Sequence, residues 1–430
     1  MSKYFVPIGS EEIPTDTIAL IPKHNLLAGT KNFFDYFGKP TTFENDLMLL
    51  ASAVFAADRA TKRGEREDVC RSIELMVPVV NFARIAPVID EIQSTLRSLS
   101  NDVWQITLRQ RTGTQESFSF PGSNGGKTLL FSGGLDSLAA AIEHGTTDVP
   151  LELVSHYTHN SVTIGAQKNL AKMLNDAGYY FKHRRFFVSS RSGKQHELEH
   201  GNESSQRTRS FLFLMLGAIV ARRTGNHTLL LLAENGQLAI HLPLTQGRIG
   251  AFSTHTAHPD VIACMERVLS TLLGVEITIK NPFVHFTKKE VVEIVHTRLP
   301  AAIPVSTSCF MNWRLPAGFT HCGTCVPCFI RRIAIESLGP DETNYARDVW
   351  RDDVARLDPA DDGRRNLMDL LEFILFLEQA NNEQVMNEFP ELYSPNFDAE
   401  LVISMYRRFC AEARKLFNSY PYVKRLLDEN

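Results

Sequence analysis

From Lys127 onward, short apolar runs alternate with helical stretches. TLLF leads to a helix ending near His144, LELVSHY to a helix near 165–177, and FKHRRFFV to a helix around Phe211. TLLLLA (228–233), a helix near 260–273, VEITIK (275–280) and a helix capped by Thr287 and Glu290 continue the pattern. Strands that alternate with helices are joined by them in parallel, and the helices cover both faces of the sheet. The expected fold is therefore α/β, a parallel sheet covered on both sides. Ligands of such sheets bind beyond the carboxyl ends of the strands.

Upstream, Thr41 and Glu44 stand at capping-box spacing before a helix expected over 41–60. SIELMVPVV (72–80) alternates like a strand, Ile89, Ile92, Leu96 and Leu99 line one helix face, and VWQITL alternates again. The polar, glycine-bearing stretch 111–127 reads as a linker or hairpin before the main domain. Beyond Gly339 strand signals vanish, while LMDLLEFILFLEQA and AELVISMYRRFCAEARKLF have helical periodicity. The expected organisation is a small N-terminal α+β domain (1–122), a central domain (123–338) and a helical C-terminal region (339–430).

Net charge is -4, so there is no basic excess of the kind nucleic-acid binding leaves, and none is expected as a partner. The most apolar run, Phe211 to Val220, is about half a bilayer span, so no membrane association is expected. The start, MSKYFVPIGSEEIP, lacks a basic segment followed by an apolar run, and four of the seven cysteines are crowded between Cys309 and Cys328, which fits a reducing compartment. A cytoplasmic location is expected.

LLFSGGLDSLAA (129–140) runs from strand through Gly133 and Gly134 into a small-residue helix. Glycines tolerate positive φ and let a ligand approach the backbone, and N–H groups at a helix start form an anion site. Phosphate is the natural occupant. No Gly-Lys-Ser/Thr follows, so this is not a Walker A loop. The alternative is a tight turn with glycines for packing and serines for capping.

Cys309, Cys322, Cys325 and Cys328 form a C-x12-C-x2-C-x2-C array. Four thiolates make a closed, structural metal site with no position for a substrate water. Zinc and an iron–sulfur cluster are the metal alternatives. Gly323 and Pro327 inside the array argue against plain core cysteines.

SGGLDS (132–137) resembles the pyrophosphate loop of the PP-loop ATP pyrophosphatases, which cleave ATP to AMP and pyrophosphate and adenylate a carboxylate or carbonyl oxygen. Combined with Arg209, NPFVHFTKKEVV (281–292) and the cysteine array, it resembles the QueC family, the 7-cyano-7-deazaguanine synthases, over about residues 127–338. The resemblance implies an adenine nucleotide α-hydrolase-like fold, ATP and Mg²⁺ as cofactors and zinc on the four cysteines. It implies that Ser132, Gly133, Gly134, Leu135, Asp136 and Ser137 bind ATP, with Asp136 positioning Mg²⁺. It implies Arg209 near phosphate or carboxylate and Lys288 in the substrate pocket. Lys288 has the alternative of a solvated first-turn lysine. Arg191, Lys194 and Arg207, in the polar stretch 189–208, are candidates for a lid or for a plain charged loop.

Two segments depart from the family. SHYTHNSVTIGAQ (155–167) replaces its tyrosine, glycine, glutamine segment, and STHTAHPDVIA (253–263) keeps only Pro259 and Asp260 of the segment contacting the base. AENGQ (233–237) also differs from the usual end of its strand. With its added terminal regions the chain is similar to the long, QatC-type members of the Qat anti-phage defence system. That similarity implies an amide ligase activating a 7-carboxy-7-deazaguanine-like small molecule and passing it to the N-terminal amine of a partner protein from the same operon. A nitrile synthase using ammonia in queuosine biosynthesis and a non-catalytic nucleotide-binding module are the alternatives. A sulfur-transferring tRNA enzyme would need an activated free cysteine, and Cys70, Cys264 and Cys410 have no evident activating neighbour in the sequence.

Overall fold

A computed structural model describes residues 1–63, 70–114, 125–145, 148–190, 203, 205–226, 229–244 and 256–429. The first part contains strands β1 (Ser2–Phe5), β2 (Ile18–Ala19) and β3 (Leu26–Ala28), then helices α1 (Thr30–Phe37) and α2 (Thr42–Ala60). Strand β4 (Ser72–Val79), helices α3 (Phe82–Ile85) and α4 (Ile89–Ser100) and strand β5 (Val103–Gln110) follow. Thr41 and Glu44 form the expected capping box on α2. Strands order as β2-β1-β4-β5, and every pairing is parallel. This region therefore has α/β construction, with helices crossing between parallel strands, in place of the expected α+β arrangement.

The central part continues with β6 (Thr128–Leu130), α5 (Leu135–His144), β7 (Leu151–Tyr157), α6 (Ser161–Asp176), β8 (Phe181–Ser190), α7 (Arg209–Thr224), β9 (Leu229–Leu231) and α8 (Gly236–Ile240). Then come α9 (Pro259–Leu273), β10 (Thr278–Lys280), α10 (Lys288–Arg298) and α11 (Val326–Glu336). The sheet order is β10-β9-β6-β7-β8-β3. Its first five strands are parallel, and β3, from the N-terminal region, adds antiparallel to β8. The chain steps from β6 outward to β7 and β8, then crosses back to β9 on the other side of β6. That reversal between β6 and β9 is where a parallel sheet opens a crevice for ligands.

Side chains alternate across the sheet. Leu130 and Val154 join a core with α2, α4, α7 and α9, whereas Leu129, Phe131 and Leu153 join one with α5, α6 and α10. The first core runs without a break into the N-terminal region. Helices α12 (Asp362–Gln379), α13 (Asn382–Glu388), α14 (Ala399–Phe417) and α15 (Pro421–Glu429) form a third core, shared with α8 and α11. Among the described residues, no helix is long and apolar enough to cross a membrane.

Candidate active site at the carboxyl ends of the central strands

The loop after β6 is shaped by contacts on both sides. Gly133 has φ +91, and a Cβ there would sit 3.2–3.3 Å from Gln167. A Cβ on Gly134 would sit 3.2 Å from the Thr307 carbonyl oxygen, while the Thr307 N–H donates to the Gly133 carbonyl at 3.0 Å. The Gln167 amide donates to the carbonyls of Ser132 (3.3 Å) and His156 (3.1 Å). The loop is thus gripped between α6 and the segment before Cys309. Ser132 Oγ accepts from the Gly134 N–H at 3.3 Å and lies 3.2 Å from Ser137 Oγ, which donates to the Gly134 carbonyl at 3.1 Å. These hydroxyls satisfy one another and can turn to an anion at the start of α5. Leu135 is buried in the core, so only its backbone can take part.

Asp136, in the first turn of α5, accepts from Lys288 Nζ at 2.5 Å and from Asn235 Nδ2 at 3.3 Å. The Lys288 side chain is 3% exposed, so the solvated-lysine alternative fails. Its position follows from local structure. Thr287 and Glu290 form the expected capping box on α10, and the Lys288 N–H donates to Gln237 Oε1 at 2.9 Å. Asn235 caps α8. The amino ends of α5, α8 and α10 therefore meet around one carboxylate, and their dipoles favour negative charge there.

Glu234, at the end of β9, escaped the sequence reading. Its Oε2 is buried without a hydrogen-bond partner among the described residues, and burial followed by the nearby Asp136 charge raises its pKa to about 8. The signal available was positional: Glu234 follows the strand that flanks the β6/β9 reversal. Gln167, Asn235 and Gln237 were missed likewise.

A cleft of about 1780 Å³ opens here, lined by Ser132, Arg209, Glu234 and Gln237, with Arg97 from the N-terminal region and Phe373 from α12. Asp136 and Lys288 meet but do not form part of its surface. Arg209 begins α7 and lies 5.2 Å from the Phe213 ring, with its Nε buried and unpartnered among the described residues. Burial, and then the charge of Arg59, lower its pKa to about 10.

Arg191 and Lys194 lie outside the described residues, as do 253–255. Arg207 does not belong to a lid: it is 2% exposed and donates to the Ser100 carbonyl at 3.3 Å. Pro259 lines a separate cavity of about 530 Å³, and Asp260 accepts from Ser394 and Asn396 (2.5 and 2.6 Å), so neither faces the main cleft. The Arg267 guanidinium lies 3.1 Å from the Cys264 sulfur.

The four cysteines converge, all sulfurs lying within 4.8 Å of one another. Tetrahedral zinc–sulfur bonds of about 2.3 Å place sulfurs about 3.8 Å apart. Cys322 and Cys328 are at 3.8 Å, and Cys325 and Cys328 at 3.4 Å. N–H groups of Met311 and Cys322 reach Cys309 Sγ, and those of Thr324 and Cys325 reach Cys322 Sγ, all at 3.3–3.4 Å. Donors aimed at sulfur favour thiolate, and hydrogen bonding from Cys309 leads the effects that lower the Cys322 pKa far below its ordinary value. The cluster could bind zinc. Gly323 has φ +77, and a Cβ there would lie 1.9 Å from the Arg347 carbonyl oxygen, so the turn between ligands requires glycine.

No curated protein matches the chain. Residues 208–339 match the family model described as queuosine biosynthesis protein QueC, a span that begins after the Ser132 loop and covers less than half of the chain. Arg209, Glu234, Lys288 and the four cysteines all fall within it, and the match supports a QueC-like family of ATP-using enzymes for this part of the chain.

Proposed function

We propose that the protein is an AMP-forming amide ligase of the PP-loop type, which activates the carboxylate of a 7-deazaguanine and transfers the acyl group to the N-terminal amine of a partner protein in anti-phage defence. The observation that carries this reading is the cleft at the β6/β9 reversal. Its volume of about 1780 Å³ exceeds the roughly 300–1,000 Å³ of ordinary small-molecule pockets. It has room for a nucleotide, a base and an extended chain end, and residues from both terminal regions line it.

In this reading Ser132, Ser137 and the N–H groups opening α5 hold the outer phosphates, leaving the α-phosphorus open to the substrate carboxylate. Arg209 stabilises charge on the departing pyrophosphate. Asp136 and Glu234 are two oxygen donors of the kind Mg²⁺ prefers, and Glu234 Oε2 lacks a partner among the described residues, so the set fits the ion. When bound there, Mg²⁺ would neutralise phosphate charge. Lys288 holds Asp136 in place. Without the ion, burial and the Asp136 charge keep Glu234 protonated up to about pH 8, so Mg²⁺ bound there would displace that proton. The cysteine cluster, closed by four sulfurs, fastens the loop around Thr307 that clasps Gly133.

The family match equally supports nitrile formation with free ammonia. One experiment separates the readings: incubate the protein with ATP, Mg²⁺, 7-carboxy-7-deazaguanine, ammonia and candidate acceptor proteins, then analyse nucleotides and intact masses. The ligase reading expects AMP, pyrophosphate and an acceptor heavier by one deazaguanine acyl group at its first residue. Free nitrile with every acceptor unmodified makes it a synthase. ADP and orthophosphate during ligation contradict both.

A further inference from the structure

Helix α8 has five residues, Gly236–Ile240, too few to hold a helix unaided, so its form comes from what it packs against. On one side is the segment leading into α10. The Gly236 N–H donates to the Phe286 carbonyl at 2.9 Å, and a Cβ on Gly236 would lie 2.5 Å from the Val284 carbonyl oxygen. On the other side is α14, from the C-terminal region: that same Cβ would lie 2.7 Å from Met405 Cε. The Tyr406 hydroxyl donates to the Gln237 carbonyl at 3.1 Å and accepts from the Leu242 N–H at 3.0 Å, holding both α8 and the chain that leaves it. Ile240 and Leu242 are buried in the C-terminal core and not in either core of the central sheet.

The same helix reaches the start of α10. Glu412 Oε1 accepts from the Thr287 hydroxyl at 3.0 Å, and that hydroxyl caps α10 by accepting from the Glu290 N–H at 3.2 Å. Arg408 donates to Glu290 Oε1 at 2.9 Å and to the His285 carbonyl at 2.8 Å. Tyr406, Arg408 and Glu412 therefore grip the two stretches that present Asn235 and Lys288 to Asp136. Tyr406 also lines the cleft, but Glu412 does not, so the influence of Glu412 on the site runs through Thr287.

We propose that α14 is a clamp on the candidate active site, with Tyr406 and Glu412 as positioning residues that set Asn235 and Lys288 against Asp136. The C-terminal region, outside the family-matched span, thereby fixes the geometry in which Asp136 meets the nucleotide. Its bearing on turnover rests on the proposed ligase chemistry, whereas the placement of Lys288 does not.

The test uses Tyr406→Phe and Glu412→Ala in the full chain. Beside them stand Glu412→Gln, whose amide oxygen can still accept from Thr287, and Arg407→Ala, which instead loses a 2.8 Å bond from α14 to the Ala380 carbonyl after α12. The ammonium protons of a buried, paired lysine exchange slowly with water, so proton–nitrogen correlation spectroscopy can follow Lys288, assigned by its absence in Lys288→Met. Tyr406→Phe and Glu412→Ala should shift or broaden that signal, while Arg407→Ala should melt at lower temperature yet leave it in place. With ATP, Mg²⁺, 7-carboxy-7-deazaguanine and ammonia, the first two should lower the kcat for pyrophosphate release about tenfold or more, with KM for ATP kept within about twofold. Glu412→Gln should recover most of the loss. An unchanged Lys288 signal in either Tyr406→Phe or Glu412→Ala, or an equal loss of kcat in Arg407→Ala, would overturn the proposal. If the signal moves as expected but the wild type releases no pyrophosphate, the clamp stands and the ligase reading falls.

Discussion

Replacing Lys288 by methionine removes the cation facing Asp136 while keeping a buried side chain of similar length. The pair is 2.5 Å apart, with side-chain exposures of 3% for Lys288 and 14% for Asp136. Two unit charges about 4 Å apart interact by about 4 kcal/mol at an effective dielectric of about 20. Breaking a buried pair by deleting one partner costs about 3–5 kcal/mol, since the survivor is left uncompensated. The site borders an open cleft and Asn235 still reaches Asp136, so the lower end applies: about 3 kcal/mol for Lys288→Met, and a similar loss for Asp136→Asn. The double variant leaves neither charge stranded and should lose about 2 kcal/mol less than the two single losses combined. Urea unfolding of all four proteins, followed by tryptophan fluorescence and extrapolated linearly, measures the cycle. Single losses that add to within about 0.5 kcal/mol would show the two groups to be independent and refute the reasoning.

Elemental analysis of protein purified without added metal should find one zinc per chain on Cys309, Cys322, Cys325 and Cys328. Cys325→Ser and Gly323→Ala should both lose it and melt at lower temperature, and an iron signal instead would reject the assignment. Glu234 sets a pH dependence of unusual sign. Its proton is held to about pH 8 in the folded chain against 4.5 for an ordinary glutamate. Between those values the folded state binds more protons than the unfolded one, so this group's contribution to stability falls as pH rises. In metal-free buffer Glu234→Gln should match the wild type near pH 4.5 and exceed it at pH 8; a difference independent of pH would contradict this.

The parts of the fold legible in the sequence are those with local signals. LELVSHY is β7 to the residue, and both threonine capping boxes lie where their spacing put them. The cysteine array likewise needed only its spacing. The first forty residues were opaque because β1, β2 and β3 have four residues or fewer, and β3 finds its partner across more than 150 residues in β8. Such pairing leaves no periodicity to read. Charge was the other blind spot: Asp58, Arg71 and Asp102 look like surface residues by type, yet each is buried against a partner that only the tertiary fold supplies. Glu234 stayed hidden for the opposite reason, since its buried oxygen has no partner among the described residues and no motif marks it.

Helix α2 has a consequence for how the chain is made. Fifteen of its residues are buried, packed against β3 and β4 nearby in the chain and against α7 and β8 far along it. A ribosome adding about 5–20 residues per second finishes α2 roughly ten to thirty seconds before α7 exists. During that interval α2 and β3 lack these partners on the nascent chain. Such an interval predicts that the yield of native protein depends on chaperones that bind nascent chains more than on the final stability of the fold.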